Sequence, residues 1–112
     1  MKKLDTIVHS LDDLKLTDIL IYDMRQKSPF FDYVILATAS NKRQLKASAK
    51  RVKDDLAKHH QASAKMEGDD EAAWLLVDAE EVIVNLFLGE ERTFYHFEKL
   101  WPDVPHWTHD SA

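Results

Sequence analysis

Residues 74–88 read WLLVDAEEVIVNLFL. Two apolar runs, 74–78 and 82–88, lie on either side of a short connection at 79–81. Branched and aromatic residues favour strands, and a connection this short joins antiparallel neighbours. The stretch therefore predicts a β-hairpin. A hairpin is not stable alone, so further strands or helices must cover its apolar side chains.

The chain before the hairpin supplies those elements. Ser40 is a favourable N-cap for a long helix over 41–60, because its side-chain oxygen can accept a backbone N–H of the first turn. Runs rich in branched residues predict strands at 18–23 and 32–38 and a short edge strand at 64–67. A first helix is predicted by four apolar residues at helical spacing: Leu4, Ile7, Val8 and Leu11.

A last helix over 93–100, stopped by Pro102, completes the order α-β-β-α-β-β-β-α. This order predicts an α/β fold of the α+β type, with a single mixed β-sheet flanked by helices. A chain of 112 residues has the size of one domain. We assign residues 1–104 to that domain. Residues 105–112 have little periodicity, so we expect a loosely packed C-terminal tail.

Charge and composition narrow the class of partner. The chain has 15 Lys and Arg against 20 Asp and Glu, a formal net charge of −5, and no cysteine. That field would repel a phosphate backbone unless a local basic patch overcame it, so we expect no direct nucleic-acid binding and favour a basic protein partner. The lack of cysteine suits a reducing cytoplasmic setting, and the amphipathic N-terminus predicts neither a signal peptide nor a membrane span.

Asp78 and Glu80 are the best enzymatic clue. Two residues apart on a strand, both carboxylates would point to one face, as two-metal nucleotidyl transfer requires. Glu80 can instead belong to the turn, and residues 39–40 are Ala-Ser where such transferases start a helix with Gly-Ser. His106 and His109 lack an evident third metal ligand, and two glycines cannot build a phosphate loop. We therefore expect no catalysis, no cofactor and no metal.

Several short motifs follow one another along nearly the whole chain. They are an Asp-Tyr strand, a Ser-x-x-Arg-Gln helix start, a Trp-x-x-x-Asp strand and an Arg-x-x-Tyr-x-x-Glu-x-Leu-Trp ending, at 32–33, 40–44, 74–78 and 92–101. In this order and spacing, the chain resembles the ribosomal silencing factor family, also called Iojap-like proteins.

The resemblance implies a sheet related in shape to nucleotidyltransferases but lacking their active site. It implies binding to the large ribosomal subunit through large-subunit ribosomal protein fourteen. The bound protein would sterically block joining of the small subunit and so repress translation, without a cofactor. A role in large-subunit biogenesis is also implied.

The resemblance further indicates contacts for the ribosomal protein. Trp74 matches a family tryptophan at the ribosomal contact, so we predict an interface anchor, with a core tryptophan under the sheet as the alternative. Asn85 stands where the family usually carries His. The family's Asp-x-Gly-Asp turn reads Asp-Ala-Glu-Glu here, which leaves the hairpin geometry open. The predicted contact set is Trp74, Asp78, Ala79, Glu80, Asn85 and Tyr95.

A ring of carboxylates around the hairpin could steer the domain to a basic ribosomal protein. Its members are Asp69, Asp70, Glu71, Asp78, Glu80 and Glu81. Two other hypotheses stay open: a nucleotidyltransferase relic that still binds nucleotide, and a homodimeric adaptor with another target. An exposed sheet edge would favour such a homodimer.

Overall fold

The computed structural model describes residues 1–68, 73–89 and 101–109. Within them the chain forms two helices and six strands. The predicted last helix, 93–100, lies outside the described residues. The elements are α1 (Lys2–Asp13), β1 (Thr17–Asp23), β2 (Tyr33–Ala39), α2 (Lys42–Lys58), β3 (Lys65–Glu67), β4 (Trp74–Ala79), β5 (Val82–Leu88) and β6 (His106–His109).

All six strands belong to one mixed sheet in the order β3-β4-β5-β2-β1-β6. The central pair, β2 and β5, runs parallel, and every other neighbouring pair is antiparallel. The predicted single mixed sheet with helices packed on it is confirmed. None of the helices in the described ranges is long and apolar enough to cross a membrane.

The strands alternate their side chains between two faces of the sheet, as a pleated backbone requires. On one face, Leu75 and Val77 of β4 and Val84 of β5 are buried in a core with both helices. Helix α2 contributes its apolar stripe to this core, namely Leu45, Ala49, Val52 and Leu56. Helix α1 lies beside α2 and covers β1.

The opposite face carries a second, smaller apolar cluster. Tyr22, Leu36 and Phe87 are buried there, and Val104 from the C-terminal segment packs with them. Trp101 contacts Tyr22 edge-on, with ring centroids 6.1 Å apart. The C-terminal segment therefore covers part of this face over β1 and β2.

The predicted loosely packed tail is wrong at residues 106–109. These residues form β6, which pairs with β1 from Tyr22↔His106 to Ile19↔His109. The His106 ring packs on Tyr22 at 5.1 Å between centroids. Backbone hydrogen bonds make this edge strand, and three of its four side chains stay exposed, so the apolar periodicity that reveals a buried strand is missing.

Helix α2 begins one residue later than predicted. Its N-cap is Asn41, whose Oδ1 accepts the Gln44 backbone N–H at 2.8 Å. Ser40 lies outside the helix, and its backbone N–H and hydroxyl both donate to Gln44 Oε1, at 2.6 and 3.0 Å. The two polar residues thus divide a reciprocal cap between them, with Gln44 at the third helical position.

This geometry predicts unequal effects of two alanine substitutions. Asn41→Ala should lower the free energy of unfolding by about 1 kcal/mol, because a first-turn N–H loses its acceptor. Ser40→Ala should cost less, because the Ser40 backbone N–H still donates to Gln44. Urea denaturation of both variants measures this difference, and a larger loss for Ser40→Ala would restore Ser40 as the N-cap.

Candidate functional site

The face of the β4–β5 hairpin turned away from the helices brings together three of the six predicted contact residues, Trp74, Asp78 and Asn85. Three cross-strand pairs line it: Trp74↔Phe87, Leu76↔Asn85 and Asp78↔Ile83. We call these six residues the Trp74 face. Their alternation with the buried residues of β4 and β5 places them together without any special loop.

Trp74 lies at the surface and is held in place. The residue is 50% exposed, so the alternative of a core tryptophan is wrong. The indole stacks on Phe87 with an interplanar angle of 8° and 6.2 Å between ring centroids. Its Nε1–H donates to Asn85 Oδ1 at 3.2 Å. One indole surface is therefore supported while the other remains accessible.

Asn85 supports Trp74 and does not offer a broad contact surface itself. The residue is only 4% exposed, and its carbonyl oxygen accepts the indole hydrogen bond. A buried amide without a partner costs free energy, so this bond fixes both side chains. Asn85 therefore accepts a hydrogen bond from the side chain that it positions.

A groove of about 610 Å³ adjoins the Trp74 face. Its apolar walls come from three regions: the loop before β2, the hairpin and the C-terminal segment. Sequence reasoning missed most of these wall residues, although strand alternation from Trp74 would have found Leu76 and Ile83. The apolar wall residues include Pro29, Phe31, Leu76, Ile83 and Trp101. Phe30, next to the groove, is 77% exposed.

The turn residues point in different directions. Ala79 is fully buried on the helix-covered side, so the structure does not place its side chain on the Trp74 face. Asp78 lies on that face, and its Oδ1 accepts the Glu80 backbone N–H at 3.1 Å. Tyr95 and the predicted acidic residues 69–71 lie outside the described residues.

Asp78 and Glu80 do not have the common strand position that the enzymatic alternative assumed. Glu80 belongs to the two-residue turn between Ala79 and Val82, and its backbone has φ 69°. Its carboxylate lies 3.6 Å from Lys3 Nζ. Among the described residues, no group of three or more His, Asp or Glu side chains is arranged to hold a metal ion.

Lys3 of α1 fastens the turn to the helical layer. Its side chain is 8% exposed, and Nζ donates to the Ala79 carbonyl at 3.2 Å and to Glu81 Oε1 at 2.5 Å. The hydrogen bond from Lys3 holds the pKa of the Glu81 carboxyl below its usual value, against the raising effect of partial burial. The hairpin end is therefore tied by an ion pair that sequence patterns did not reveal.

The fold and this face define a small α+β domain that presents a fixed, accessible aromatic side chain on one side of its sheet. The family described as ribosomal silencing factor during starvation matches residues 1–112. The chain belongs to this ribosomal silencing factor family, as the sequence motifs predicted, and so has a role in ribosome silencing.

Individual relatives support the family assignment. The ribosomal silencing factor RsfS of Bacillus subtilis strain 168 is 40% identical over 94 residues, covering 84% of this chain and 80% of the relative. A crystal structure from Bacillus halodurans superposes with a TM-score of 0.82 at 27% identity, covering 95% of this chain and 96% of that one. The mouse protein called mitochondrial assembly of ribosomal large subunit protein 1 is 28% identical over 101 residues, which cover 88% of this chain and 44% of the mouse protein.

Glu80 provides a test of the turn geometry. A non-glycine residue in the left-handed region costs roughly 1–2 kcal/mol, and glycine removes that cost at the expense of a more flexible unfolded chain. We expect Glu80→Gly to be more stable than Glu80→Ala by about 1 kcal/mol in urea denaturation. Both variants lose the carboxylate, so their difference isolates the backbone. Equal stabilities would contradict a left-handed turn residue.

The Lys3–Glu81 pair predicts a pH-dependent contribution to stability. Because the folded-state pKa of Glu81 is lowered, the contribution is complete above the ordinary carboxyl pKa of 4.5 and is lost as pH falls through the lower folded value. Glu81→Gln should therefore reduce unfolding free energy at pH 7 and have less effect at pH 3. Glu80→Gln is the matched control, with a smaller effect at neutral pH. A Glu81→Gln effect that stays constant with pH would refute the assignment.

Proposed function

We propose that this protein binds large-subunit ribosomal protein fourteen through the Trp74 face. In doing so it would cover part of the surface where the small subunit docks, and so repress translation in the cytoplasm without catalysing a reaction. The observation that carries the proposal is the half-exposed Trp74, fixed by Phe87 and Asn85 in a domain of a ribosome-silencing family.

A tryptophan held in this way is suited to binding. Aromatic anchors contribute most when they are ordered before the partner arrives, since little side-chain entropy is then lost on association. The stack on Phe87 and the bond to Asn85 provide that order. The adjoining groove gives a partner side chain an apolar depression beside the indole. Together they form the centre of the proposed interface.

Charge in the described part of this centre is nearly balanced. A second cleft, beside Phe30 and Phe31, neighbours the groove. Among the described residues, the groove and this cleft are lined by three acidic residues, Glu67, Asp78 and Glu80, and by two basic residues, Lys27 and Lys65. Three carboxylates and two ammonium groups leave only a slight negative excess. The proposal therefore depends on the aromatic anchor, and rim charge would mainly affect the association rate.

A role in large-subunit biogenesis is part of the same proposal. The mouse relative is named for assembly of the large ribosomal subunit in mitochondria. A factor that occupies the joining face of a large subunit would keep small subunits from engaging it, whether that subunit is newly assembled or idle. One binding event would thus serve both roles.

The direct test compares two exposed tryptophans. Trp74 and Trp107 are 50% and 44% exposed, and Trp107 lies on β6 at the far edge of the sheet. Truncation of an interface anchor typically costs roughly 2 kcal/mol or more, about a 30-fold loss of affinity. We expect Trp74→Ala to lose binding to isolated ribosomal protein fourteen by at least this factor, whereas Trp107→Ala binds like wild type.

The same variants are then mixed with large and small subunits, and the joined fraction is followed by sucrose-gradient sedimentation. Wild type and Trp107→Ala should lower joining, and Trp74→Ala should not. Circular dichroism checks that each variant is folded. Unchanged joining with the wild-type protein would reject the proposed function, and equal losses for both variants would reject the Trp74 face as the contact.

A further inference from the structure

Helix α2 concentrates positive charge in an acidic protein. Its 17 residues include seven Lys and Arg and two Asp, so the helix carries a net +5. The whole chain has 15 basic and 20 acidic residues, which leaves 8 basic and 18 acidic outside α2, a net −10. The overall charge of −5 is therefore the sum of a strongly basic α2 and a strongly acidic remainder of the chain.

Four of these basic residues share one flank of the helix. They follow a spacing of three, four and three residues, which returns to the same side of a helix each time. We call them the basic stripe: Arg43, Lys46, Lys50 and Lys53. The first three are exposed and Lys53 is partly exposed. From Arg43 to Lys53 the helix advances by ten residue steps, so the stripe is about 15 Å long.

The other flank of α2 is engaged with α1. Arg51 Nη2 lies 2.8 Å from Asp13 Oδ2, and Ser10 Oγ of α1 donates to Asp55 Oδ2 at 2.6 Å. Gln44 Nε2 donates to the Leu14 carbonyl at 2.8 Å. These contacts fix the rotation of the helix about its axis, so that the basic stripe faces away from α1.

Lys50 of the stripe takes part in an ion pair. Lys50 Nζ lies 2.9 Å from Asp54 Oδ2, and both side chains are largely exposed. Exposed pairs of this spacing contribute only about 0.3–0.5 kcal/mol, so a phosphate group can displace Asp54 at little cost. This pair therefore leaves Lys50 available to a phosphate group.

We propose that the basic stripe binds the phosphodiester backbone of duplex RNA, as a second contact on the side of the sheet opposite the Trp74 face. The assignment rests on charge complementarity, and its relevance to the ribosome rests on the proposed function. The net charge of the chain argued against nucleic acid only in the absence of a local basic patch, and α2 supplies that patch.

The composition of the stripe favours RNA backbone over other anionic partners. Lysine is depleted from protein interfaces, whereas Lys and Arg make most phosphate contacts. The apolar residues of α2 are buried against the sheet, so the helix has no apolar face to insert into a lipid surface. No aromatic residue occurs within α2, so stacking on unpaired bases is not provided.

The test measures binding to a fluorescently labelled RNA duplex of about 20 base pairs by fluorescence anisotropy, at roughly 50 to 200 mM KCl. In this range each phosphate contact adds roughly 0.9 to the slope of log affinity against log salt concentration. Wild type should bind with an affinity that falls steeply with salt. Lys46→Ala with Lys53→Ala should lower the slope by about 2 and the affinity at low salt by about tenfold or more. Alanine is a good helix former, so α2 should persist.

The matched control is Lys2→Ala with Lys58→Ala, which removes the same charge from α1 and from the end of α2 away from the stripe. It should bind RNA nearly as wild type does. No binding of wild type to the duplex at 50 mM KCl, an equal loss in the control, or equally tight binding to polyglutamate or to anionic vesicles would each overturn the proposal.

The experiments distinguish a failure of the basic-stripe proposal from a failure of the proposed function. Trp74→Ala should keep its affinity for the duplex, and the stripe variant should keep its affinity for isolated ribosomal protein fourteen. If wild type binds RNA but not the ribosomal protein, the proposed function fails and the stripe stands. If it binds the ribosomal protein but not RNA, the stripe fails alone.

Discussion

The pleat of the β4–β5 hairpin divides the molecule into two chemically different sides. Val77 and Val84 point into the helix-covered core, while Trp74 and Asn85 point away from it. Since side chains alternate with a period of two, a one-residue slip in pairing would bury the indole side and expose the valines. Core packing and display of Trp74 are therefore two results of one register, and neither can be changed without the other.

The turn that sets this register is joined to the rest of the fold at two points. Lys3 connects it to α1 through the Ala79 carbonyl and Glu81. The Glu81 carbonyl also accepts the backbone N–H of Asp32 at 2.7 Å, which joins the turn to the start of β2. A buried ammonium contributes little net free energy unless its partners are all in place. Its value here is positional, because it holds the end of the hairpin where β5 meets β2 in parallel.

Much of the fold was open to prediction because its signals are periodic and local. Helical spacing gave α1, branched runs gave the central strands, and ordered motifs gave the family. Two features depended on tertiary context. Ser40 and Asn41 are both good caps, and only the contact with Gln44 decides between them. Residues 106–109 form a strand by pairing with β1, which carries no apolar pattern.

The candidate site likewise has features that the sequence predicted and features that depended on packing. Composition could not tell a core tryptophan from a surface one, because Trp74 is apolar in either place. Its exposure follows from which face α2 covers. The same limit applies to Ala79, whose place in the predicted contact set came from the motif, while the pleat turns its side chain into the core. Sequence thus located the hairpin, and packing determined which of its residues are accessible.

The separation of charge bears on how such a domain would orient on its target. The Trp74 face and the basic stripe lie on opposite sides of one sheet, joined through a core in which Leu45, Val52 and Val77 are nearly or wholly buried. A rigid connection of this kind fixes the distance between two contacts. Once one contact forms, the other is presented at high effective concentration only if the target has matching groups at that distance. Two individually modest contacts would then select a single site and a single orientation on the target.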